Sequence, residues 1–173
     1  NRKIGLGVMG FADMLFQLGV PYDSEQALEM AEKVMGFVQN ESKEASRALA
    51  QERTVFPNFE KSVYKDMENG RVRNATTTTI APTGTLSIIA GCSSGIEPLF
   101  ALSFVRNVMD NDKLLETNPY FEKVARERGF YSPELMDAVA RSGGIRHIEG
   151  IPQDVKDVFV TAHDITPEWH VRM

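Results

Sequence analysis

The stretch that decides the fold is residues 74–91, which read NATTTTIAPTGTLSIIAG. Its four consecutive threonines, Thr76–Thr79, favour a buried β-strand because β-branched side chains fit a pleated sheet. Pro82 ends the strand because it has no N–H to donate, and Gly84 lets the backbone bend or approach a ligand closely. The residues that follow open a helix, so the segment is predicted to run from strand through a tight turn into a helix.

The predicted turn has the features of an anion-binding site. Free backbone N–H groups at the start of a helix attract phosphates and other anions. The hydroxyl groups of Thr83, Thr85 and Ser87 can cap the helix or donate to a ligand. The same pattern also occurs as a purely structural joint. The turn is not a P-loop, because it lacks the Gly-x-x-x-x-Gly-Lys pattern and no lysine stands near it.

Three blocks of sequence resemble the large-subunit family of ribonucleotide reductases, and most closely its adenosylcobalamin-dependent class. They are RKIGLGVMGFAD at residues 2–13, APTGTLSIIAGCSSGIEP at 81–98 and DITPEWH at 164–170. The resemblance therefore extends over essentially the whole chain. In that family, the loop matching residues 82–87 binds the phosphates of the nucleotide substrate. The resemblance thus implies a substrate phosphate site formed by Pro82, Thr83, Gly84, Thr85, Leu86 and Ser87.

The resemblance also implies a fold and a reaction. The family fold is a ten-stranded α/β barrel, and residues 1–173 would be a single helix-rich fragment of that catalytic domain, supplying its later strands and outer helices. The family enzyme is an oxidoreductase that uses adenosylcobalamin and cysteine thiyl-radical chemistry. It replaces the 2′-hydroxyl of a ribonucleoside di- or triphosphate with hydrogen to make deoxyribonucleotides. The implied partners are the ribonucleotide, a thioredoxin-like reductant and the remainder of the barrel.

No catalytic residue is assigned within the chain. The family chemistry needs a radical-bearing cysteine with asparagine and glutamate nearby, and two further cysteines as reductants. None of those motifs is present, so the isolated chain is expected to be inactive. Its single cysteine, Cys92, is interpreted as a small buried residue. Two alternatives remain open: the iron- or manganese-dependent class of the same family, which the Gly91–Ser94 block disfavours, and a non-catalytic anion-binding module.

Composition narrows the functional classes. The 173 residues carry a net charge of −5 with scattered basic residues, which argues against nucleic-acid binding. A single cysteine precludes an internal disulfide and fits a reducing compartment, so cytoplasmic localisation is expected. No apolar run approaches the roughly 20 residues that span a bilayer, and no membrane partner is expected. The chain does not begin with methionine, and both ends are expected to be cut from a longer sequence.

Helices are predicted to dominate, with two or three strands. Residues 4–18 are predicted to form a buried helix, and residues 99–108 a second strand. A long amphipathic helix, capped by Asp23 or Ser24, is predicted to run to about Arg53. Its apolar stripe comprises Ala27, Ala31, Val34, Met35, Val38, Ala45 and Leu49.

Shorter elements are predicted after the long helix. Residues 60–68 are predicted to form a short helix, and Asn69-Gly70 a turn. Further helices are predicted to begin at Asn118, Ser132 and Thr166, each followed by proline. Residues 154–160 fit either a short strand or a short helix.

The remaining constellations favour structural roles. GLGVMG at residues 5–10 matches a dinucleotide-binding pattern but lacks a preceding strand of normal length, so close helix packing through small residues is preferred. His163 and His170 flank two acidic residues, and helix capping at residues 166–168 is preferred to a metal site. Glu97 is interpreted as a salt-bridge partner, because a second anion beside a bound diphosphate would be unfavourable.

Overall fold

A computed structural model describes residues 1–107 and 113–173, without the side chains of 105–107 and 113–115. The chain divides into two compact units. The first unit comprises residues 1–8 and 29–81, and the second comprises residues 9–28 and 82–173. Within the described ranges, no helix is both long enough and apolar enough to cross a membrane.

The long predicted helix is confirmed as α2, Glu25–Arg53. Ser24 caps it, because its Oγ accepts a hydrogen bond from the N–H of Ala27 at 3.2 Å. The apolar stripe is wrong at its C-terminal end, where Ala45 and Leu49 are exposed. The buried residues there are Ser46 and Ala50, which are four residues apart and therefore lie on the same face of the helix.

Polar contacts explain this shift of the buried face of α2. Within the first unit, the Oγ of Ser46 donates to the Oδ1 of Asn74 at 3.0 Å, and the Oγ of Ser42 donates to the Oγ1 of Thr77 at 2.9 Å. The helix therefore packs on an extended segment through hydroxyl groups, which an apolar-periodicity argument does not detect.

The extended segment pairs with the start of the chain. The N–H of Ile4 donates to the carbonyl of Thr76 at 3.1 Å, and the N–H of Thr79 donates to the carbonyl of Leu6 at 3.1 Å. Only one parallel bridge, Leu6 with Thr78, has ladder geometry. The buried strand predicted at Thr76–Thr79 is therefore wrong in detail: the segment is extended but not a regular strand, and Thr77 alone of the four is buried.

The helix predicted over residues 4–18 is wrong in its first half. Helix α1 spans only Phe11–Leu18. The preceding glycines allow close approach of extended chains, not of helices as predicted. A Cβ on Gly5 would lie 2.7 Å from the Cγ2 of Thr79, and one on Gly7 would lie 3.1 Å from the Thr79 carbonyl oxygen.

Aromatic side chains form the small core of the first unit. Two 3-10 turns, Phe59–Lys61 and Val63–Asp66, replace the short helix predicted over residues 60–68. Phe56 meets the rings of both Phe59 and Tyr64 edge-on, with centroids 5.9 Å apart in each case. The predicted turn at Asn69-Gly70 is confirmed, with Asn69 at a φ of 56°.

The second unit is built from short helices around an aliphatic and aromatic core. Besides α1, these helices are α3 (Gly84–Ala90), α4 (Pro119–Glu127), α5 (Pro133–Ser142), α6 (Gln153–Val158) and α7 (Pro167–Arg172). Phe16 of α1 stacks on Phe159 with centroids 4.6 Å apart, and Phe159 contacts Phe121 at 5.5 Å. Residues 154–160, which fitted either element, are mainly helical.

The three predicted proline-initiated helices are confirmed, and two of them have the predicted side-chain cap. The Oδ1 of Asn118 accepts hydrogen bonds from Tyr120 and Phe121 at the start of α4. The Oγ of Ser132 accepts one from Leu135 at the start of α5. Thr166 precedes α7 but makes no side-chain cap, so there the fixed φ of Pro167 at the first helical position supports the start.

The second unit also contains an antiparallel hairpin. Strand β1 (Ser103–Asn107) pairs with β2 (Lys113–Thr117), with Ser103 opposite Thr117. The strand predicted over 99–108 is thus shorter at its start, and Val108 lies outside the described residues. Strand β2 was not predicted.

Asp13 connects three parts of the second unit. It is only 5% exposed. Its Oδ2 accepts a hydrogen bond from the N–H of Ser93 at 2.6 Å, and its Oδ1 accepts one from the Nδ2 of Asn118 at 3.3 Å. Because this second bond takes the amide nitrogen of Asn118, the amide oxygen is turned towards the N-terminus of α4 that it caps.

We expect Asp13→Ala to destabilise the second unit by about 2–3 kcal/mol, because the Ser93 N–H and the Asn118 amide lose a buried acceptor. Thermal melting measures the change. Asp137→Ala is the matched control, since Asp137 is an exposed aspartate of α5 and its removal should stay within about 0.5 kcal/mol. Equal melting temperatures for the two variants would show that Asp13 does not stabilise the second unit.

Two glycines of the first unit should respond to alanine in opposite directions. A Cβ on Gly70 would lie 1.8 Å from the carbonyl oxygen of Tyr64, so Gly70→Ala must displace backbone and should cost roughly 2 kcal/mol or more. Gly36 lies within α2 with nothing within 4 Å of a Cβ, so Gly36→Ala should stabilise by up to about 1 kcal/mol. Denaturant titration measures the free energy of unfolding of both variants, and a Gly70→Ala variant as stable as the parent would refute the packing at Gly70.

Candidate functional site

The predicted turn lies at the start of α3, with Thr83 in an unusual backbone conformation. Its φ and ψ are 54° and 25°, in the left-handed region. Left-handed geometry is uncommon for any residue with a side chain and is an outlier for a β-branched one. Such strain persists only where the surroundings hold it in place, and it is concentrated at functional sites. The strained backbone of Thr83 therefore marks the turn as a candidate functional site.

Hydrogen bonds from the following loop hold this conformation. The Oγ1 of Thr83 accepts a hydrogen bond from the N–H of Gly95 at 2.8 Å. The hydroxyl of Ser87 donates to the carbonyl of Gly84 at 2.9 Å and lies 2.8 Å from the hydroxyl of Ser94. Residues 92–95 thus hold the turn through hydrogen bonds. Ser93 is itself held by its hydrogen bond to Asp13.

Three backbone N–H groups at the turn have no acceptor among the described residues. They belong to Gly84, Thr85 and Leu86, the first residues of α3, which precede any intrahelical partner. All three residues are exposed. A left-handed residue followed by a right-handed one points successive N–H groups to the same side, the arrangement called a nest. The turn therefore offers three donors to an anion in solvent.

The six predicted site residues divide into two groups in the structure. Pro82, Gly84, Thr85 and Leu86 are exposed, and Thr83 is half-buried. Ser87 is buried, its hydroxyl is bonded within the protein, and its N–H donates to the carbonyl of Thr83 at 2.8 Å. The side chain of Thr83 does not cap α3, which leaves the second alternative from the sequence, donation to a ligand. Its hydroxyl proton is free to donate while its oxygen accepts from Gly95.

A cavity of about 1000 Å³ in the second unit adjoins the inner side of α3. Cys92, Glu97 and His163 are among the residues that line it. Cys92 is half-buried, so its interpretation as a buried residue is wrong. Glu97 is exposed and makes no ion pair with the described residues, so the expected salt bridge is also wrong.

Glu97 acts on its surroundings through its charge. Burial, followed by the negative charge of Glu97, raises the pKa of Tyr22 to about 12. The Tyr22 hydroxyl donates to the carbonyl of Ile96 at 2.7 Å. Tyr22 is therefore a neutral hydrogen-bond donor that fixes the 94–98 turn, and it is not an acid or base near neutral pH.

Two of the three histidines, His163 and His170, make structural contacts in the second unit. The His163 ring meets Phe100 edge-on with centroids 4.8 Å apart, and the Nε2 of His170 lies 3.2 Å from the carbonyl oxygen of Ala162. Across residues 1–107 and 113–173, no group of three histidine, cysteine, aspartate or glutamate side chains is arranged to hold a metal ion.

Sequence reasoning did not assign a role to Asp13 or to Ser93–Gly95, which support the turn. A signal for both was present, because Asp13 ends one of the three resembling blocks and Ser93–Gly95 lie in another. Their role depends on contacts across 80 residues, such as that from Asp13 to Ser93, and no local pattern reveals such a distance.

Comparisons with known proteins agree on one family. The family model described as "Ribonucleotide reductase, barrel domain" matches residues 1–71 and 65–173. A vitamin B12-dependent ribonucleoside-diphosphate reductase of Thermoplasma acidophilum is 59% identical over 173 residues, which is 100% of this chain and 22% of that protein. One of Mycobacterium tuberculosis, under the same name, is 49% identical over 100% of this chain and 25% of its own length.

A solved structure is similar as well. The class Id ribonucleotide reductase alpha subunit of Actinobacillus ureae superimposes with a TM-score of 0.75 at 28% identity, covering 93% of this chain and 28% of that one. The chain thus spans about a quarter of the length of the proteins it matches. On the match of the family model across its length, this chain belongs to the ribonucleotide reductase barrel-domain family.

Proposed function

We propose that residues 1–173 form part of the catalytic barrel of a ribonucleoside-diphosphate reductase, and that the turn at 82–87 holds the phosphates of the substrate. The observation that carries the proposal is the set of three N–H groups at Gly84–Leu86, which lack acceptors among the described residues. These donors lie within the block, residues 81–98, that resembles the phosphate loop of the family.

Backbone groups, more than basic side chains, would supply the attraction. The sequence contains no lysine or arginine between Arg73 and Arg106. A phosphate at the turn would accept from the N–H groups of residues 84–86 and from the hydroxyls of Thr83 and Thr85. An anchor of this kind positions the ribose for chemistry carried by other residues, so its contribution is orientation. As one strand-and-helix part of a ten-stranded barrel, the chain would need the rest of the barrel to turn over substrate.

Relatedness favours the cobalamin-dependent class. The two relatives at 59% and 49% identity are named vitamin B12-dependent. A Chlamydia pneumoniae protein named ribonucleoside-diphosphate reductase subunit alpha is 29% identical over 98% of this chain. The same names favour a diphosphate substrate over a triphosphate. A thioredoxin-like reductant remains part of the proposal on family resemblance alone.

The described residues offer no feature that specifies a contact to the cofactor. No three-residue group among them is suited to a metal ion, and Cys92 has no cysteine partner in the chain. Adenosylcobalamin supplies the radical-generating chemistry in the class that the chain resembles. The role proposed for this chain is to bind and orient the substrate.

The proposal predicts that Gly84→Val weakens substrate binding without loss of stability. A Cβ on Gly84 would meet nothing within 4 Å, so the valine crowds only an incoming phosphate. In the full-length protein, the Kd for a nucleoside diphosphate should rise about tenfold or more, equivalent to about 1.4 kcal/mol. Calorimetric titration beside thermal melting measures both quantities.

Ala90→Val is the matched control for that experiment. Ala90 is exposed at the opposite end of α3, so the same added bulk should leave affinity unchanged. The turn would be merely structural if Gly84→Val lowered the melting temperature while the folded protein kept its affinity.

Thr83 and Thr85 should differ in what their alanine variants cost. Thr85→Ala removes an exposed hydroxyl and should cost about 1 kcal/mol of diphosphate affinity with unchanged stability. Thr83→Ala should cost a similar amount of affinity and also stability, because the buried N–H of Gly95 loses its acceptor. Calorimetry and melting on the same samples separate the two effects. Complete loss of binding from either single variant would refute a site built mainly from backbone donors.

A further inference from the structure

A second cavity, distinct from the phosphate turn, lies wholly within the first unit. Its volume is about 350 Å³, near the lower end of the roughly 300–1000 Å³ typical of small-molecule sites. The C-terminal half of α2 and residues 59–71 line it. A space of this size suits one small metabolite and not a macromolecular segment.

The charged residues that line this cavity are all positive. Arg47, Lys65 and Arg71 line it, and no aspartate or glutamate does. Arg47 is engaged, because its Nη1 pairs with Glu44 and its Nε donates to the Asn69 carbonyl at 3.0 Å. Lys65 and Arg71 form no ion pair with the described residues. Two uncompensated cations at one cavity stand out in a chain whose net charge is −5.

Fixed contacts shape the walls. The Tyr64 hydroxyl donates to the carbonyl of Ala75 at 2.7 Å and accepts from the Nζ of Lys43 at 2.9 Å. Gly70 packs so closely on the Tyr64 carbonyl that no Cβ fits between them. The guanidinium of Arg71 lies 6.0 Å from the centroid of Phe59, at the outer limit of a cation–π contact. The Tyr64 and Gly70 walls are therefore formed before a ligand binds, and the ordering cost falls on the exposed side chains of Lys65 and Arg71.

An apolar surface adjoins the cations. Met67, which is 55% exposed, contributes most of it, and the buried Ala50 and Phe59 form its floor. A ligand that fits must therefore combine a compact anionic group with a small apolar body. Arginine donors match the oxygens of phosphate in a two-pronged geometry, and a lysine ammonium completes the neutralisation of a dianion.

We propose that this cavity binds a small phosphate monoester with an apolar body, at a site separate from the turn at 82–87. Lys65 and Arg71 hold the phosphate dianion, and the Ala50, Phe59 and Met67 surface accepts the body. The site shares no residue with the substrate anchor, so it does not depend on the proposed function being correct.

Calorimetric titration of the full-length protein with phenyl phosphate tests this proposal. Phenyl sulfate is the ligand control, because it has the same ring but a single charge. Phenyl phosphate should bind at least about fivefold more tightly than phenyl sulfate, since a dianion gains more from two cations. Titration in the Gly84→Val background removes any contribution from the turn.

Variants of the two cations locate the binding. Lys65→Gln and Arg71→Gln should each weaken phenyl phosphate binding about five- to tenfold, the scale of one charge-assisted hydrogen bond. Lys33→Gln is the matched control, since Lys33 is an exposed lysine of α2 outside the cavity, and it should bind as the parent does. Both cavity residues are exposed, so folding should be retained, which melting verifies.

Three results would overturn the proposal. One is the absence of measurable heat with phenyl phosphate in the full-length protein, which would mean that the cavity is closed or filled there. Another is equal affinity for phenyl phosphate and phenyl sulfate. The last is affinity in Lys65→Gln and Arg71→Gln that matches that of Lys33→Gln. Nucleoside diphosphate affinity should be the same in all three variants, which separates this site from the substrate anchor.

Discussion

The buried carboxylate of Asp13 links three segments of the second unit. Asp13 belongs to α1, yet its two oxygens accept from Ser93 in the loop after α3 and from Asn118 before α4. That loop in turn holds Thr83 in its left-handed conformation through Gly95. The donors of the phosphate turn therefore depend on a side chain 70 residues earlier in the sequence. Removing this carboxylate would destabilise the fold, because the Ser93 N–H and the Asn118 amide would remain desolvated without an acceptor.

Local sequence chemistry predicted the helices well and the extended segments poorly. Asn118 and Ser132, each followed by proline, mark helix starts through side-chain caps and a fixed φ, both of which are local effects. Residues 4–10 were mistaken for helix because glycine and apolar residues alternate there without a decisive period. Their partner, residues 74–79, is distant in sequence, and only the pairing makes either segment extended. Parallel pairing always carries such a separation, so periodicity alone does not find it.

The position of the candidate site was predictable from the sequence, but the contacts that form it were not. Proline, glycine and threonine at residues 82–85 mark a turn whose N–H groups are free, and this follows from the start of any helix. That Ser87 turns inward while Thr85 stays exposed depends on Ser94, which lies beyond the end of α3. The cation-lined cavity had no sequence signal at all. Arg47 and Arg71 are far apart along the chain, and the hydrogen bond from the Nε of Arg47 to the carbonyl of Asn69 joins their segments.

The only tryptophan of the chain has a consequence for spectroscopy. Trp169 lies in α7 of the second unit, with the guanidinium of Arg172 4.3 Å from its ring centroid. Arg172 is itself paired with Glu25 at the start of α2, within the same unit. Tryptophan fluorescence, excited selectively over tyrosine, therefore reports the second unit alone, and an emission shift marks release of α7. Tyrosine absorbance reports both units, because Tyr64 lies in the first unit and Tyr22, Tyr120 and Tyr131 lie in the second. A difference between the tryptophan and tyrosine transitions would therefore show that the two units unfold separately.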